Sequence, residues 1–93
     1  MAYATSGPGA TNLITGVCDA FFDSIPVIFI TGQVNTFESR GQYTIRQRGF
    51  QETDIVSMVA PVTKYAQYVE TADKIRYYLD SAFAAATSGR MGP

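Results

Sequence analysis

A glycine–proline–glycine turn near the start of the chain constrains the fold more than any other part of the sequence. The turn consists of Gly7, Pro8 and Gly9. It belongs to segment 4–12, which follows a very short apolar start, residues 1–3. Two glycines around a proline make a tight turn whose backbone can approach a ligand closely. Pro8 also suits the first turn of a helix, where an N–H group would have no partner. Such a turn normally follows a buried strand, so the sequence predicts a strand–turn–helix unit of a larger assembly.

Hydrophobic periodicity predicts three strands that alternate with three helices. Leu13, Val17 and Phe21 recur at helical spacing after the glycine turn. Residues 27–30 form a continuous apolar run, which is typical of a strand covered on both faces. We predict strands at 2–5, 27–30 and 63–69, a polar loop at 33–51, and helices at about 8–22, 52–60 and 71–87. This order indicates an α/β fold with a parallel sheet of about three strands and flanking helices.

Composition limits the class of protein. The chain has 93 residues, enough for one small domain that spans residues 1–93. A net charge of −1 gives no general reason to expect a nucleic-acid or anionic-membrane partner. The absence of histidine removes the usual triads and zinc-ligand sets, and the lone Cys18 cannot form an internal disulfide. Without a signal-peptide pattern or a membrane-spanning run, we expect a cytoplasmic protein.

Three blocks of sequence carry a resemblance to a known family. The blocks are ATSGPGATNLITGVCDAFFDSIPVIFITGQV, GFQETDIVSMVAPVTKYAQYV and AAATSGRMGP. In this order they resemble the N-terminal domain of thiamine-diphosphate-dependent enzymes, and especially the acetolactate synthase-like branch (acetohydroxyacid synthase large subunit). The resemblance implies a partial three-layer α/β/α thiamine-diphosphate-binding fold. The chain would be a fragment of the domain that holds the aminopyrimidine ring of the cofactor, usually at a dimer interface.

The same resemblance implies specific cofactor contacts. Pro8 and Asn12 would line the pyrimidine ring, and Gln51, with Phe50 beside it, would face the reacting end of the cofactor across the interface. The diphosphate and its magnesium ion would be held by a different domain, so the glycine turn would be a pyrimidine contact and not a phosphate cradle. The implied cofactor-binding residues are Gly7, Pro8, Gly9, Asn12, Phe50 and Gln51.

Two departures from the family lead us to expect no activity from this chain alone. The family's catalytic glutamate lies upstream of the SGPG strand, whereas every acidic residue here follows that motif. The chain also stops at Pro93, where the family continues into a strand that lies between the second and third strands predicted here. We therefore expect carboligation or decarboxylation of a 2-oxoacid substrate in full-length relatives only.

The residues also allow simpler interpretations of both motifs. Residues 6–12 could form an ordinary strand-to-helix turn. A dinucleotide-binding turn fits poorly, because Asn12 stands in place of the third glycine. Residues 50–52 could be a polar helix start with one buried aromatic side chain. The carboxylates of Glu52 and Asp54 would suit a helix N-terminus without any catalytic role.

The loop at 35–49 is longer than in the core acetolactate synthases and is rich in arginine. Arg40, Arg46 and Arg48 are typical of a solvated loop face, although they could bind a substrate carboxylate or a second cofactor. Cys18 is next to the apolar Val17, which indicates a packed thiol and not a nucleophile.

Two functions follow from these observations. The first is a thiamine-diphosphate-binding fragment that is inactive alone. The alternative is a self-associating structural module that binds no cofactor, because a sheet with unpaired internal edges favours strand addition or swapping between chains. The self-associating module predicts a stable dimer or larger oligomer, and we expect this chain to form a homo-oligomer.

Overall fold

The computed structural model describes all residues 1–93. Its single sheet consists of two parallel strands. Strand β1 is Ala2–Ala4 and strand β2 is Phe29–Thr31. They pair in parallel, with Ala2 opposite Phe29 and Ala4 opposite Thr31. The predicted α/β fold with a parallel sheet is therefore confirmed.

Two consecutive helices connect the strands. Helix α1 is Pro8–Asn12 and helix α2 is Ile14–Phe22, so the helix predicted over 8–22 is present with one interruption at Leu13. The Leu13 amide donates to the Ala10 carbonyl at 3.1 Å, a tighter turn than an α-helix makes. A crossover through helices is the connection that parallel strands require.

The second half of the chain is helical with extended connections. Helix α3 is Ile55–Val59 and helix α4 is Ile75–Thr87. Short 3₁₀ turns lie at Thr36–Glu38, Ala60–Val62 and Ala72–Lys74. The helix predicted at 52–60 thus begins three residues later than expected. None of the helices has the length and hydrophobicity needed to cross a membrane.

The prediction of a strand at 63–69 is wrong, because this segment does not join the sheet. The sheet contains β1 and β2 alone. The exposure of segment 63–69 alternates only in part: Lys64 is exposed and Tyr65 is half-buried, but the next residue, Ala66, is half-buried too. Its one backbone hydrogen bond to a distant residue runs from the Lys64 amide to the Pro93 carbonyl at 2.7 Å. Alternating side chains favour extended backbone, but a strand also needs a neighbouring ladder.

An apolar cleft of about 680 Å³ separates β2 from segment 63–69 and helix α4. Side chains that line it remain partly exposed: Ile30 by 40%, Val69 by 39% and Ile75 by 54%. The fully buried residues, by contrast, are small ones. They are Gly7, Ala10, Val17, Ala20, Gly49, Ala86, Gly92 and Pro93. The chain therefore leaves much of its apolar surface in the cleft and not in a closed core.

Candidate functional site

The glycine turn lies where β1 ends, beside the carboxyl end of β2. The Gly32 amide donates to the Ala4 carbonyl at 2.9 Å, which keeps the two strand ends together. Gly7 has a φ of 61°, a conformation that favours glycine. Pro8 then begins helix α1, as predicted, and the Thr11 amide donates to the Gly7 carbonyl at 3.0 Å.

Gly7 lies directly against Gln51. A β-carbon added at Gly7 would be 2.5 Å from the Gln51 carbonyl oxygen and 2.8 Å from the Gln51 β-carbon. No side chain fits in that space. The close approach of the Gly7 backbone is therefore to another part of this chain, and it joins the two predicted motifs at one place.

Packing within the chain also favours glycine at position 9. A β-carbon at Gly9 would be 2.6 Å from the Thr5 γ-methyl carbon. Gly9 is half-buried, whereas Pro8 between the two glycines is exposed. The outward surface of the turn is thus formed by Pro8, and the glycines allow the turn to pack.

Gln51 occupies an unfavourable backbone conformation in a turn at 49–53. Its φ of 54° is uncommon for a residue with a side chain. The Glu52 amide donates to the Gly49 carbonyl at 3.3 Å and closes the turn. Gly49 is buried against Val34, whose γ-carbon would be 2.7 Å from a β-carbon added at Gly49. Such a turn persists where surrounding contacts hold it.

Gln33 links this turn to the end of β2. Its side-chain nitrogen Nε2 donates to the Thr53 carbonyl at 2.8 Å, and its oxygen Oε1 accepts from the Val34 amide at 2.9 Å. Gln33 is a site residue that the sequence motifs did not single out. Its position a few residues after the predicted buried strand at 27–30 was the available signal, since polar groups at carboxyl ends of parallel strands commonly serve a site.

The structure places four predicted site residues at the surface of this region. Pro8 and Asn12 are exposed on α1, and Phe50 and Gln51 are exposed on the turn that contacts Gly7. Phe50 is 81% exposed, so it is not the buried aromatic side chain of the simpler interpretation. The Gly7–Gln51 contact brings the start of α1 at Pro8 close to the turn that carries Phe50 and Gln51, whereas Asn12 lies at the other end of α1.

Glu52 binds both ends of the arginine-rich loop, here residues 39–48 of the polar loop at 35–49. The sequence did not predict this role of Glu52. Its Oε1 accepts from the Arg40 amide at 2.7 Å and from the Ser39 hydroxyl at 3.1 Å, and its Oε2 accepts from the Arg48 amide at 3.0 Å. These bonds, the one from Arg48 foremost, hold the pKa of the Glu52 carboxyl below its usual value. Glu52 lies before helix α3 and does not belong to its N-terminal turn.

Asp54 is the residue that caps helix α3. Its carboxylate accepts from the Ser57 amide at 3.1 Å and from the Ser57 hydroxyl at 2.6 Å. These bonds, more than the nearby charge of Arg40, lower the pKa of Asp54. The predicted helix-terminal role is confirmed for Asp54 and is wrong for Glu52.

The loop at 41–48 is exposed along its whole length. Arg40 is half-buried, and its guanidinium donates to the Ile45 carbonyl at 3.2 Å within the loop. Arg46 and Arg48 are exposed, which agrees with a solvated loop face.

Cys18 is half-buried, as expected for a packed thiol. No three His, Cys, Asp or Glu side chains come together as a candidate metal site.

Comparison with known proteins identifies the family. The sequence profile of the family described as "Thiamine pyrophosphate enzyme, N-terminal TPP binding domain" matches residues 1–58. The chain is 47% identical over 90 residues to the acetolactate synthase large subunit of Lactococcus lactis, a match that covers 96% of this chain and 14% of that protein. It is 46% identical to the acetolactate synthase isozyme 2 large subunit of Escherichia coli K12, which covers 97% of this chain and 15% of that protein.

A plant relative gives the same result. The chloroplastic acetolactate synthase of Arabidopsis thaliana is 46% identical over 90 residues, which is 97% of this chain and 12% of that protein. The chain thus spans about one seventh of the length of the curated relatives that it matches. The predicted resemblance is confirmed, and the α/β fold is a partial TPP-binding fold. Since the family profile covers more than half of the chain, this protein belongs to the thiamine pyrophosphate enzymes, within their N-terminal TPP-binding domain.

Proposed function

We propose that this chain supplies the pyrimidine-binding surface of a thiamine-diphosphate enzyme that acts on 2-oxoacids. The contact between Gly7 and Gln51 carries this proposal, because it joins two motifs that are far apart in the sequence. The resemblance places Gln51 at the reacting end of the cofactor across an interface. Because Gln51 lies against the glycine turn of its own chain, we assign it to the pyrimidine-binding surface of that chain. The family membership and the acetolactate synthase names of the relatives support the cofactor and the substrate class.

Exposed residues of helix α1 and of the turn at 49–53 fit an aminopyrimidine chemically. An aminopyrimidine is a flat ring with nitrogen acceptors and an amino donor. The amides of Asn12 and Gln51 can each donate and accept hydrogen bonds. The rings of Pro8 and Phe50 provide apolar surface for the faces of a flat ring. All four residues are exposed and so are available to a ligand.

The chain's own residues would bind and orient the ring without transferring a proton. When bound, thiamine diphosphate supplies a nucleophilic carbon for 2-oxoacids. Glu52 is the acid next to Gln51, but both of its carboxylate oxygens already accept hydrogen bonds from the loop. We therefore propose that the 93 residues alone bind cofactor without turnover, and that magnesium and diphosphate are held by other parts of the complete enzyme.

Side-chain amide signals in nuclear magnetic resonance spectra test this proposal. The aminopyrimidine half of thiamine should shift the amide signals of Asn12 and Gln51, whereas the thiazole half should not. Gln47, an exposed glutamine of the neighbouring loop, is the internal control. Equal shifts with both halves, or no shift with thiamine diphosphate at millimolar concentration, would contradict the proposal.

The apolar cleft supports a second proposal, that copies of this chain associate. Strand β2 hydrogen-bonds to β1 alone, so its other edge is available to an added strand. Partly exposed apolar side chains such as Ile30 and Ile75 line the cleft beside it. A strand from a second copy would pair with this edge and cover these side chains, with or without a cofactor.

Sedimentation velocity distinguishes the two proposals. A size that changes with thiamine diphosphate and magnesium indicates a cofactor site formed between chains. A fixed oligomer indicates the structural module, and Ile75→Glu should then dissociate it while Met58→Glu, outside the cleft, should not. A monomer at tens of micromolar, with and without the cofactor, would reject self-association.

A further inference from the structure

We propose that Glu52 is a positioning residue that ties the arginine-rich loop to the turn at 49–53 and so holds Gln51 beside Gly7. This inference rests on the proposed function for its consequence, which is the presentation of Gln51 to a pyrimidine ring. The tie itself is a matter of hydrogen bonds within the chain and can be tested separately.

One carboxylate gathers donors from both ends of the loop. At the first end, Oε1 accepts from the Ser39 hydroxyl and the Arg40 amide, at 3.1 and 2.7 Å. At the second end, Oε2 accepts from the Arg48 amide at 3.0 Å. Hydrogen bonds to an ionised carboxylate are stronger than those between neutral groups. Glu52 therefore closes the loop at its base.

The loop has no other hydrogen bond to a distant part of the chain. The Tyr43 amide and the Arg40 guanidinium both bond within the loop, to the carbonyls of Arg40 and Ile45. The Ser39 amide bonds to the adjoining 3₁₀ turn, at the Thr36 carbonyl. Because residues 41–48 are exposed, packing cannot replace the carboxylate. Loss of Glu52 should therefore release the loop.

Gln51 depends on the same turn. Its φ of 54° is unfavourable for a glutamine, and its carbonyl lies where a Gly7 side chain would be. A residue in that conformation stays there while its neighbours hold it. Its neighbour Glu52 is held at the backbone by Gly49 and at the side chain by the loop. Gln33 and Val34 also hold the turn, at Thr53 and Gly49, and the Thr53 hydroxyl donates to the Gln51 carbonyl at 3.3 Å. Releasing the loop therefore removes the restraint that acts through the Glu52 side chain and leaves these others.

The first test compares Glu52→Gln with Glu38→Gln. Both substitutions remove one negative charge near the loop, but Glu38 bonds only to Asn35 and not to the loop base. Trypsin should cut Glu52→Gln after Arg46 and Arg48 roughly tenfold faster than the parent, since proteolysis follows local opening. Glu38→Gln should be cut at the parent rate. Equal rates for parent and Glu52→Gln would overturn the proposal.

The second test is a pH titration of two backbone amides. The amide signals of Arg40 and Arg48 should titrate together as Glu52 is protonated, and this titration should vanish in Glu52→Gln but persist in Glu38→Gln. The other charged side chains in or beside the loop are those of Glu38, Arg40, Arg46, Arg48 and Asp54. A common titration that survives in Glu52→Gln would assign it to another carboxylate and refute the tie.

Cofactor contact separates this inference from the proposed function. In Glu52→Gln, the aminopyrimidine-induced shift of Gln51 should fall at least threefold while that of Asn12 on helix α1 is retained. Unchanged Gln51 shifts in a variant whose loop has opened would overturn the positioning role. No shift even in the parent, with the loop tests as expected, would reject the proposed function and leave the tie in place.

If Glu52→Gln does not fold, Ser39→Ala, which removes one of the three donors, should give an intermediate cleavage rate.

Discussion

The Gly7 backbone lies so close to Gln51 that a β-carbon added at Gly7 would be 2.5 Å from the Gln51 carbonyl oxygen. Gly7 also has a φ of 61°, which disfavours any side chain. This contact is the point where the first third of the chain supports the turn at 49–53. A substitution at Gly7 therefore acts on both motifs.

Gly7→Ala should be much more destabilising than Gly41→Ala. Both glycines have positive φ, 61° and 51°, but a β-carbon at Gly41 would meet nothing within 4 Å. We expect Gly41→Ala to cost about 1 kcal/mol of unfolding free energy from backbone strain alone, and Gly7→Ala at least about 2 kcal/mol more from the clash. Urea unfolding followed by circular dichroism measures both. Equal costs would show that the Gly7–Gln51 contact is absent in solution.

Gln51→Gly should separate binding from stability. Glycine adopts the φ of 54° without strain, so the unfolding free energy should stay level or rise by about 1 kcal/mol. The variant lacks the amide, however, and should bind the aminopyrimidine less tightly. Titration of each variant with this compound, beside Gln47→Gly as control, checks the expectation. Parent-like affinity in Gln51→Gly would remove Gln51 from the site.

Lys64 should stabilise the end of helix α4. Its Nζ donates to the carbonyls of Ala85 and Ser88 at the helix end, where the last carbonyls have no intrahelical backbone partner. The Ala85 carbonyl also accepts from the Ser88 hydroxyl at 3.3 Å. Lys64→Met keeps most of the apolar stem and should lower the unfolding free energy by about 1 kcal/mol. Lys74→Met, at the opposite end of α4, should cost nothing measurable. Thermal unfolding of both variants makes the comparison, and an equal loss in both would rule out the capping role.

Asp54 should make stability depend on pH. Hydrogen bonds from Ser57 lower its folded pKa, so its contribution is complete above the ordinary aspartate value of about 3.9 and disappears as pH falls through the folded pKa. Asp54→Asn keeps the helix cap and removes this titration. The stability difference between parent and Asp54→Asn should therefore shrink on acidification. Urea unfolding from about pH 6 to pH 3 measures it, and a constant difference would contradict the shift.

Asp54→Ala removes the cap as well as the charge. Its two bonds to Ser57 are lost, and the unfolding free energy at neutral pH should fall by about 1 kcal/mol. Asp80→Ala is the control, because Asp80 makes only an exposed ion pair with Arg76 at 3.7 Å. A smaller loss for Asp54→Ala than for Asp80→Ala would mean that helix α3 does not depend on its cap.

Local pattern was enough to predict most of the helices and the parallel strands. Pro8 begins α1 and the apolar spacing through Val17 continues into α2, as helical periodicity requires. The apolar run at 27–30 contains the start of β2. These elements depend on residues within one or two turns of each other, so their sequence contains the relevant information.

The segment at 63–69 shows where pattern alone is insufficient. Its alternating sequence predicts an extended backbone, but strand pairing depends on which backbone lies beside it. In the tertiary structure Lys64 contacts Pro93, and the apolar cleft lies between this segment and β2. Register and pairing are long-range properties, and no short window of sequence encodes them.

The candidate site was likewise predictable from the sequence only in part. The sequence by itself determined that Gly7, Pro8 and Gln51 belong to motifs of a thiamine-diphosphate enzyme. Only the tertiary structure decided that Gly7 packs on Gln51 within one chain and that Glu52 serves the loop and not a helix. The physical reason is that close packing and carboxylate hydrogen bonds join residues distant in sequence, which only the folded chain brings together.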